Sequence, residues 1–550
     1  MSRRDLRPGT GRRVAPVVAA ALALGLAVPA VAQDAPVVDA PAGSLRGVAE
    51  AGVHIFRGVP FANPPLGDLR WRPPAPRPPW SGVRDATRFG AACMQPVSPF
   101  ADHAVVSEDC LFLNIWAPHQ ASKAPVLVWI HGGSLVNGAG SEAIYDGAGF
   151  ARRGVIVVSI NYRLGALGWL AHPGLSAESP NNISGNYGLM DQIAALCWVH
   201  RNISAFGGDP DNVTIAGESA GALSVLYLMA SPDAQGLFHR AIAQSAYMIT
   251  MPELRDGSYA DWPDAETVGV SLASALGAAD PAALRAMSAQ AIIEGTARTT
   301  YFPLGTIDGR SLPRQLVETF DRGEQASVPI LAGYNEGEIR SLRFLLPPAP
   351  ASAAIYTDEI RARYGDLSDA FLARYPAEAM SESMLRTTRD AMYGWTAERL
   401  AVKQTAIGAP AFLYYFDHGY PAADEGGFRA FHAAEIPFVF GTTDSTPRYW
   451  PPVPQTTGER RLSEAMASYW ATFARDGAPR AQGEDEWRPY AEDRAYMAFE
   501  AAPRLRAGPP NGYELHEAVV CRRRAHGGLA WHWNVGVIAQ PLPPPSPGCE

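Results

Sequence analysis

The chain has 550 residues, 47% of them hydrophobic and 18% charged, enough apolar material for a large buried core. Its formal charge is −9, and beyond the N-terminus the only basic run is Arg522-Arg523-Arg524, which argues against a nucleic-acid partner. No flexible linker or internal repeat breaks the sequence, so a single large domain over residues 33–550 is expected, with insertions and a proline-rich C-terminal tail.

Residues 1–32 have the form of an export signal. Arg3, Arg4, Arg7, Arg12 and Arg13 precede an apolar run over 14–28, and Ala30-Val31-Ala32 offers a cleavage site before Gln33. Ser2-Arg3-Arg4 hints at twin-arginine export, although the rest of that motif is poor. The apolar run is short for a membrane span and no second run is long enough to anchor the chain. A periplasmic or secreted protein is expected. Five cysteines in an exported chain suggest disulfides with one thiol left over. Cys93 and Cys110 bracket a proline-containing loop and are expected to pair. Cys521 and Cys549 flank the C-terminal tail as a second candidate pair, and Cys197 reads as a buried thiol in a helical pattern. No Cys/His spacing suggests a metal.

Residues 41–95 carry many prolines, and 56–65 reads as irregular chain over a sheet edge. Residues 111–116 are strand-like. The uninterrupted apolar run 125–130 suits a strand covered on both faces. It leads into His131-Gly132-Gly133-Ser134, a turn able to aim successive backbone N–H groups into one small volume. Residues 154–160 form another buried strand, 186–202 a helix, and Phe206-Gly207-Gly208-Asp209-Pro210 stops that helix. Val213-Thr214-Ile215 opens a further strand, which ends on Gly217-Glu218-Ser219-Ala220-Gly221. An apolar helical run over 222–229 follows. Strand, tight turn and helix around G-x-S-x-G is the setting of a nucleophile elbow, where only small residues fit beside the serine. The alternation of strands and helices implies a mostly parallel sheet with helices on both faces. Further on, 251–298 is helix-like, 327–333 and 411–416 are strands, and Leu462, Met466, Trp470 and Phe473 share one helical face. Pro541, Pro543, Pro544 and Pro545 make the tail irregular.

Together these stretches resemble the type-B carboxylesterase family of the α/β-hydrolase fold, which includes cholinesterase-like proteins. The resemblance is carried by residues 56–74, 108–116, 131–138, 185–192, 206–221 and 431–441, and runs from about Gly43 to Tyr490. It implies a large mostly parallel sheet with helical insertions around an active-site gorge, and a serine hydrolase chemistry without cofactor. Ser219 is the implied nucleophile and His432, in Phe431-His432-Ala433-Ala434-Glu435, the implied base. The order Ser, acid, His fits the fold. Aligning Gly333 and Asn335 without a gap puts Glu338 in the acid position, but Ile339 stands where the family has glycine. Glu336-Gly337 is the alternative, with a gap. By position, the N–H groups of Gly133, Ser134 and Ala220 form the oxyanion hole, Ser134 replacing a third glycine. His131 and Glu218 read as structural, and Ser245 as a supporting serine.

In cholinesterases a tryptophan in the first disulfide loop holds a quaternary ammonium. Here the Cys93–Cys110 loop contains Phe100 and no tryptophan, which favours a general ester hydrolase acting on small to medium uncharged esters. Two other readings are a non-catalytic cholinesterase-like binding protein and a hydrolase of thioesters, lactones or amides. The sequence leaves the oligomeric state open.

Overall fold

The computed structural model describes residues 35–97, 105–257 and 262–549. The expected leader over 1–32 lies outside them, as does Phe100. The central sheet takes its strands in chain order as β1 (Val48–Glu50), β2 (Val53–Pro60), β3 (Phe112–Pro118), β4 (Ala124–Ile130), β5 (Ile156–Ile160), β6 (Gly208–Glu218), β7 (Arg240–Gln244), β8 (Ile330–Asn335), β9 (Ala411–Phe416), β10 (Ala495–Phe499) and β11 (Pro503–Ala507). In space they run β11-β10-β9-β8-β7-β6-β4-β5-β3-β2-β1. Every neighbouring pair from β5 through β10 is parallel, and antiparallel strands close both ends. This is the α/β-hydrolase architecture.

Why β4 forms a central strand is visible in its side chains. All seven residues are buried. Val126, Val128 and Ile130 join one apolar cluster, while Leu127 and Trp129 join the other. A strand with both faces covered has no polar side to present, so its sequence is continuously apolar.

On the first face lie α1 (Tyr187–Asn202) and α2 (Ala220–Ala230). Three short helices follow as α3 (Ala265–Ala275), α4 (Pro281–Ala286) and α5 (Ala289–Thr296), where the sequence looked helical. A second helical group comprises α6 (Ala353–Tyr364), α7 (Ser368–Arg374), α8 (Met380–Arg389) and α9 (Trp395–Ala406). A π-helical turn, Asp390–Gly394, joins α8 to α9. On the second face α10 (Thr457–Asp476) packs Leu462, Met466, Trp470 and Phe473 into the same cluster as Leu127 and Trp129. Thr456 caps its start and Gly477, at φ 76°, ends it. The last helix is α11 (Tyr513–Ala525).

Residues 56–65, expected to be irregular, are so only in part. Val53–Pro60 forms β2 and pairs with β3 along its length. The prolines are accommodated because Pro60 ends the strand and the register shifts between Phe56 and Val59. At that irregularity Gly58 adopts φ 67° and its N–H donates to Asn114 Oδ1 at 2.9 Å. Disulfides join Cys93 to Cys110 and Cys521 to Cys549. Cys197 carries a free thiol, half-buried rather than fully buried as expected. No helix among the described residues is long and apolar enough to cross a membrane.

Candidate active site

The C-terminal ends of β4, β6, β7 and β8 meet on one edge of the sheet, where open α/β sheets place their ligands. β6 ends at Glu218, and Ser219 follows with φ 56° and ψ −122°. Such a backbone is strained for a non-glycine residue and costs about 1–3 kcal/mol. Close packing holds it. A Cβ on Gly217 would run into the carbonyl of Gly221, and one on Gly221 into that of Ile130. Helix α2 begins at the next residue, so its first-turn N–H groups lack intrahelical acceptors and its positive dipole end lies beside Ser219.

The turn after β4 lies against this elbow. A Cβ added to Gly132 would sit 2.9 Å from the Glu218 carbonyl oxygen and 3.2 Å from Ser219 Cβ. Gly133 and Ser134 have φ of 101° and 56°. The Gly133 carbonyl turns away to accept from the N–H groups of Val136 and Asn137. Gln95 clamps the far side of the turn, donating to the Gly138 carbonyl at 3.0 Å and accepting from its N–H at 2.9 Å. Gln95 thus ties the turn to the loop of the first disulfide. His131 stacks on Tyr162 at 4.5 Å between ring centroids, a structural position.

Glu338 is fully buried just beyond β8. Its Oε1 accepts from Ser245 Oγ at 2.6 Å and from the Asn335 N–H at 2.8 Å. Its Oε2 lies in a short contact with His432 Nδ1. Glu336, two residues earlier, faces elsewhere. It lies 3.8 Å from Arg340, 3.7 Å from Arg389 and 3.3 Å from Arg429. Of the two acidic candidates, only Glu338 meets the imidazole.

The other edge of His432 meets Glu218, whose Oε1 stands 3.1 Å from Nε2. That oxygen is buried and has no hydrogen-bond partner among the described residues. If Nδ1–H donates to Glu338, then Nε2 and Glu218 are two acceptors facing each other unless one carries a proton. Burial pushes the Glu218 pKa up, Glu435 and Glu338 add to the rise, His432 opposes it, and the result is about 8. Burial alone would lower the His432 pKa. The carboxylates of Glu218, Glu338 and Glu435 outweigh it and raise the imidazole to about 9. Groups this close lose their protons as a pair.

Glu435, also fully buried, accepts from Asn335 Nδ2 at 2.6 Å and Gln244 Nε2 at 2.9 Å. Trp470 Nε1 in turn donates to Gln244 Oε1 at 2.9 Å, which ties the site to α10. The negative charges of Glu218 and Glu435 both favour the protonated imidazole.

Ser219, His432, Glu218, Gly133 and Ser134 all line one cavity of about 540 Å³. Its walls are mainly apolar and include Met392 and Tyr393 from the π-helical turn. Tyr393 lies 5.3 Å from the His432 ring. Motif reading missed both; π turns at functional sites are frequent but leave no clear sequence mark.

The carboxylesterase family model matches residues 34–513. The chain belongs to that family. It is thereby a carboxylic-ester hydrolase. A fumonisin B1 esterase of Sphingopyxis macrogoltabida is 37% identical, covering 86% of this chain and 88% of that protein. A para-nitrobenzyl esterase of Bacillus subtilis is 36% identical, covering 83% and 93%. Among solved structures, a PNB esterase superposes with a TM-score of 0.75 at 33% identity, covering 86% of this chain and 97% of its own. A Geobacillus stearothermophilus carboxylesterase gives 0.70 at 32%, covering 90% and 100%. In this carboxylesterase Gly133, Ser134, Ser219 and Glu338 follow closely on strand ends, and His432 comes from a longer loop after β9.

Proposed function

We propose that this carboxylesterase is an exported serine esterase that uses Ser219, His432 and Glu338 on small to medium uncharged esters. One observation carries the reading: the serine of the elbow and an imidazole bonded to a buried carboxylate open into one cavity. Serine is a weak nucleophile until a base takes its proton. His432 removes that proton as Oγ attacks the ester carbonyl, and Glu338 holds the ring and balances the imidazolium. The N–H groups of Gly133, Ser134 and Ala220 receive the oxyanion. His432 then protonates the departing alcohol, and water activated by the same ring releases the acid. To act on Ser219 the ring turns Nε2 from Glu218 toward Oγ, an adjustment of the kind that substrate binding completes.

The cavity volume falls in the range of small-ligand sites. The relatives are named for esters as different as fumonisin B1, para-nitrobenzyl and cocaine, so what they share is the ester bond. The basic and apolar stretch over 1–32 and the two disulfides support export to an oxidising compartment. A fluorophosphonate probe is expected to form one adduct, mapped to Ser219 by peptide mass spectrometry. A folded protein that never reacts would favour a binding protein instead.

The Glu218–His432 contact has a consequence for pH. The base must be neutral, and Glu218 is one of the charges that keep its proton on. Glu218→Gln removes that charge, so the His432 pKa falls. The acidic limb of kcat/KM against pH is therefore expected to move to lower pH. A limb that stays in place or moves up would separate Glu218 from the base.

A further inference from the structure

A second, larger cavity of about 820 Å³ adjoins the catalytic one. Phe302, Leu345 and Trp533 line both. The described residues lining the larger cavity include no Asp, Glu, Lys or Arg. One side is formed by α3, where Val268, Ser271, Leu272 and Ala275 fall at the i, i+3, i+4, i+7 spacing of a single helix face. Trp169 and Tyr301 contribute aromatic surface. The one imidazole among its described lining residues, His532, is held neutral near pH 7, because burial lowers its pKa to about 4.

The partition comes from an unexpected place. Trp533 follows α11, beyond residue 513 where the family match ends. Several contacts fix its segment. Trp531 N–H donates to Thr250 Oγ1 at 3.1 Å, the Thr250 N–H donates to the Trp531 carbonyl at 2.8 Å, and Trp531 Nε1 donates to the Ala391 carbonyl at 2.9 Å. The Cys521–Cys549 disulfide closes the loop that contains it. Trp533 holds φ 49° and meets Phe302 edge-on at 6.0 Å between ring centroids.

We infer that the larger cavity is a subsite for the uncharged, apolar arm of an extended ester, reached past Trp533 and Phe302 while the ester bond lies at Ser219. The inference rests on the serine-esterase reading above. The three residues shared by the two walls place the arm, and the uncharged lining among the described residues selects its chemistry, since it offers a charged group no partner.

The test compares p-nitrophenyl acetate, p-nitrophenyl decanoate and decyl acetate on the parent enzyme, Ser271→Trp and Val268→Trp. Both substitutions fill the larger cavity from α3, away from the catalytic residues. Each is expected to lower kcat/KM at least about tenfold on a decyl or decanoyl ester and to leave p-nitrophenyl acetate within about twofold. Loss confined to the decanoate assigns the acyl arm, and loss confined to decyl acetate the alcohol arm; either supports the subsite. Unchanged rates on both long esters, or parallel loss on all three, overturn it. Failure of the serine-esterase reading would look different: the parent itself would turn over none of the three.

Discussion

Ser219→Ala is expected to lower kcat for ester hydrolysis by about 10⁴–10⁶-fold while the thermal midpoint stays at the parent value. The two halves of this expectation have separate causes. In the proposed mechanism, loss of Oγ removes the atom that would form the acyl intermediate, and neither His432 nor the backbone donors can substitute for it. Groups that act as a unit lose nearly everything when one is removed, leaving only what binding and the oxyanion donors supply. Stability is spared because alanine keeps the Cβ. The strained φ of 56° is set by the packing of Gly217 and Gly221 against neighbouring backbone, and the substitution leaves that unchanged. Stopped assays on p-nitrophenyl acetate and a thermal melt check both halves. More than a tenth of parental activity in the variant would remove Ser219 from the mechanism.

Much of the architecture was readable because its causes are local. The run 125–130 is apolar throughout since both faces of β4 are covered. The glycines flanking Ser219 are there because no side chain fits. Leu462, Met466, Trp470 and Phe473 announced α10 by their period. What escaped notice depends on distance or on broken periodicity. β2 was hidden by Pro60 and by the bulge at Gly58, whose N–H is satisfied by Asn114 from another strand. The joined helices α8 and α9 lose a common apolar phase because the π-helical turn changes the number of residues per turn between them. Trp533 sits in an aperiodic stretch, and long-range contacts of its neighbour Trp531 with Thr250, some 280 residues away, and with Ala391 bring it to the cavity wall. The pairing of Glu218 with His432 was invisible for the same reason: a residue beside the nucleophile in sequence meets the base only after β6 and the loop at 432 converge.

The choice between two neighbouring carboxylates gives the other large effect. Glu338→Gln is expected to lower kcat by about 10³–10⁴-fold. An amide in that position cannot balance an imidazolium. If its NH₂ faces Nδ1, it also forces the proton to the wrong ring nitrogen, leaving Nε2 unable to act as base. Ser245 and the Asn335 N–H, which now donate to Glu338 Oε1, would still find the amide oxygen, so the loop keeps its shape. Glu336→Gln is expected to change kcat less than about tenfold and to register in stability instead. Its carboxylate stands among Arg340, Arg389 and Arg429, and Arg389 is buried. Removing a negative charge there leaves those guanidiniums less compensated, a cost that falls on the folded state. Asp390, 2.7 Å from Arg389, limits that cost. Kinetics and thermal melts on the two variants side by side separate the roles, because one is predicted to lose rate and the other stability. The reverse ranking in kcat would transfer the acid's place to Glu336 and require the loop after β8 to rearrange before catalysis.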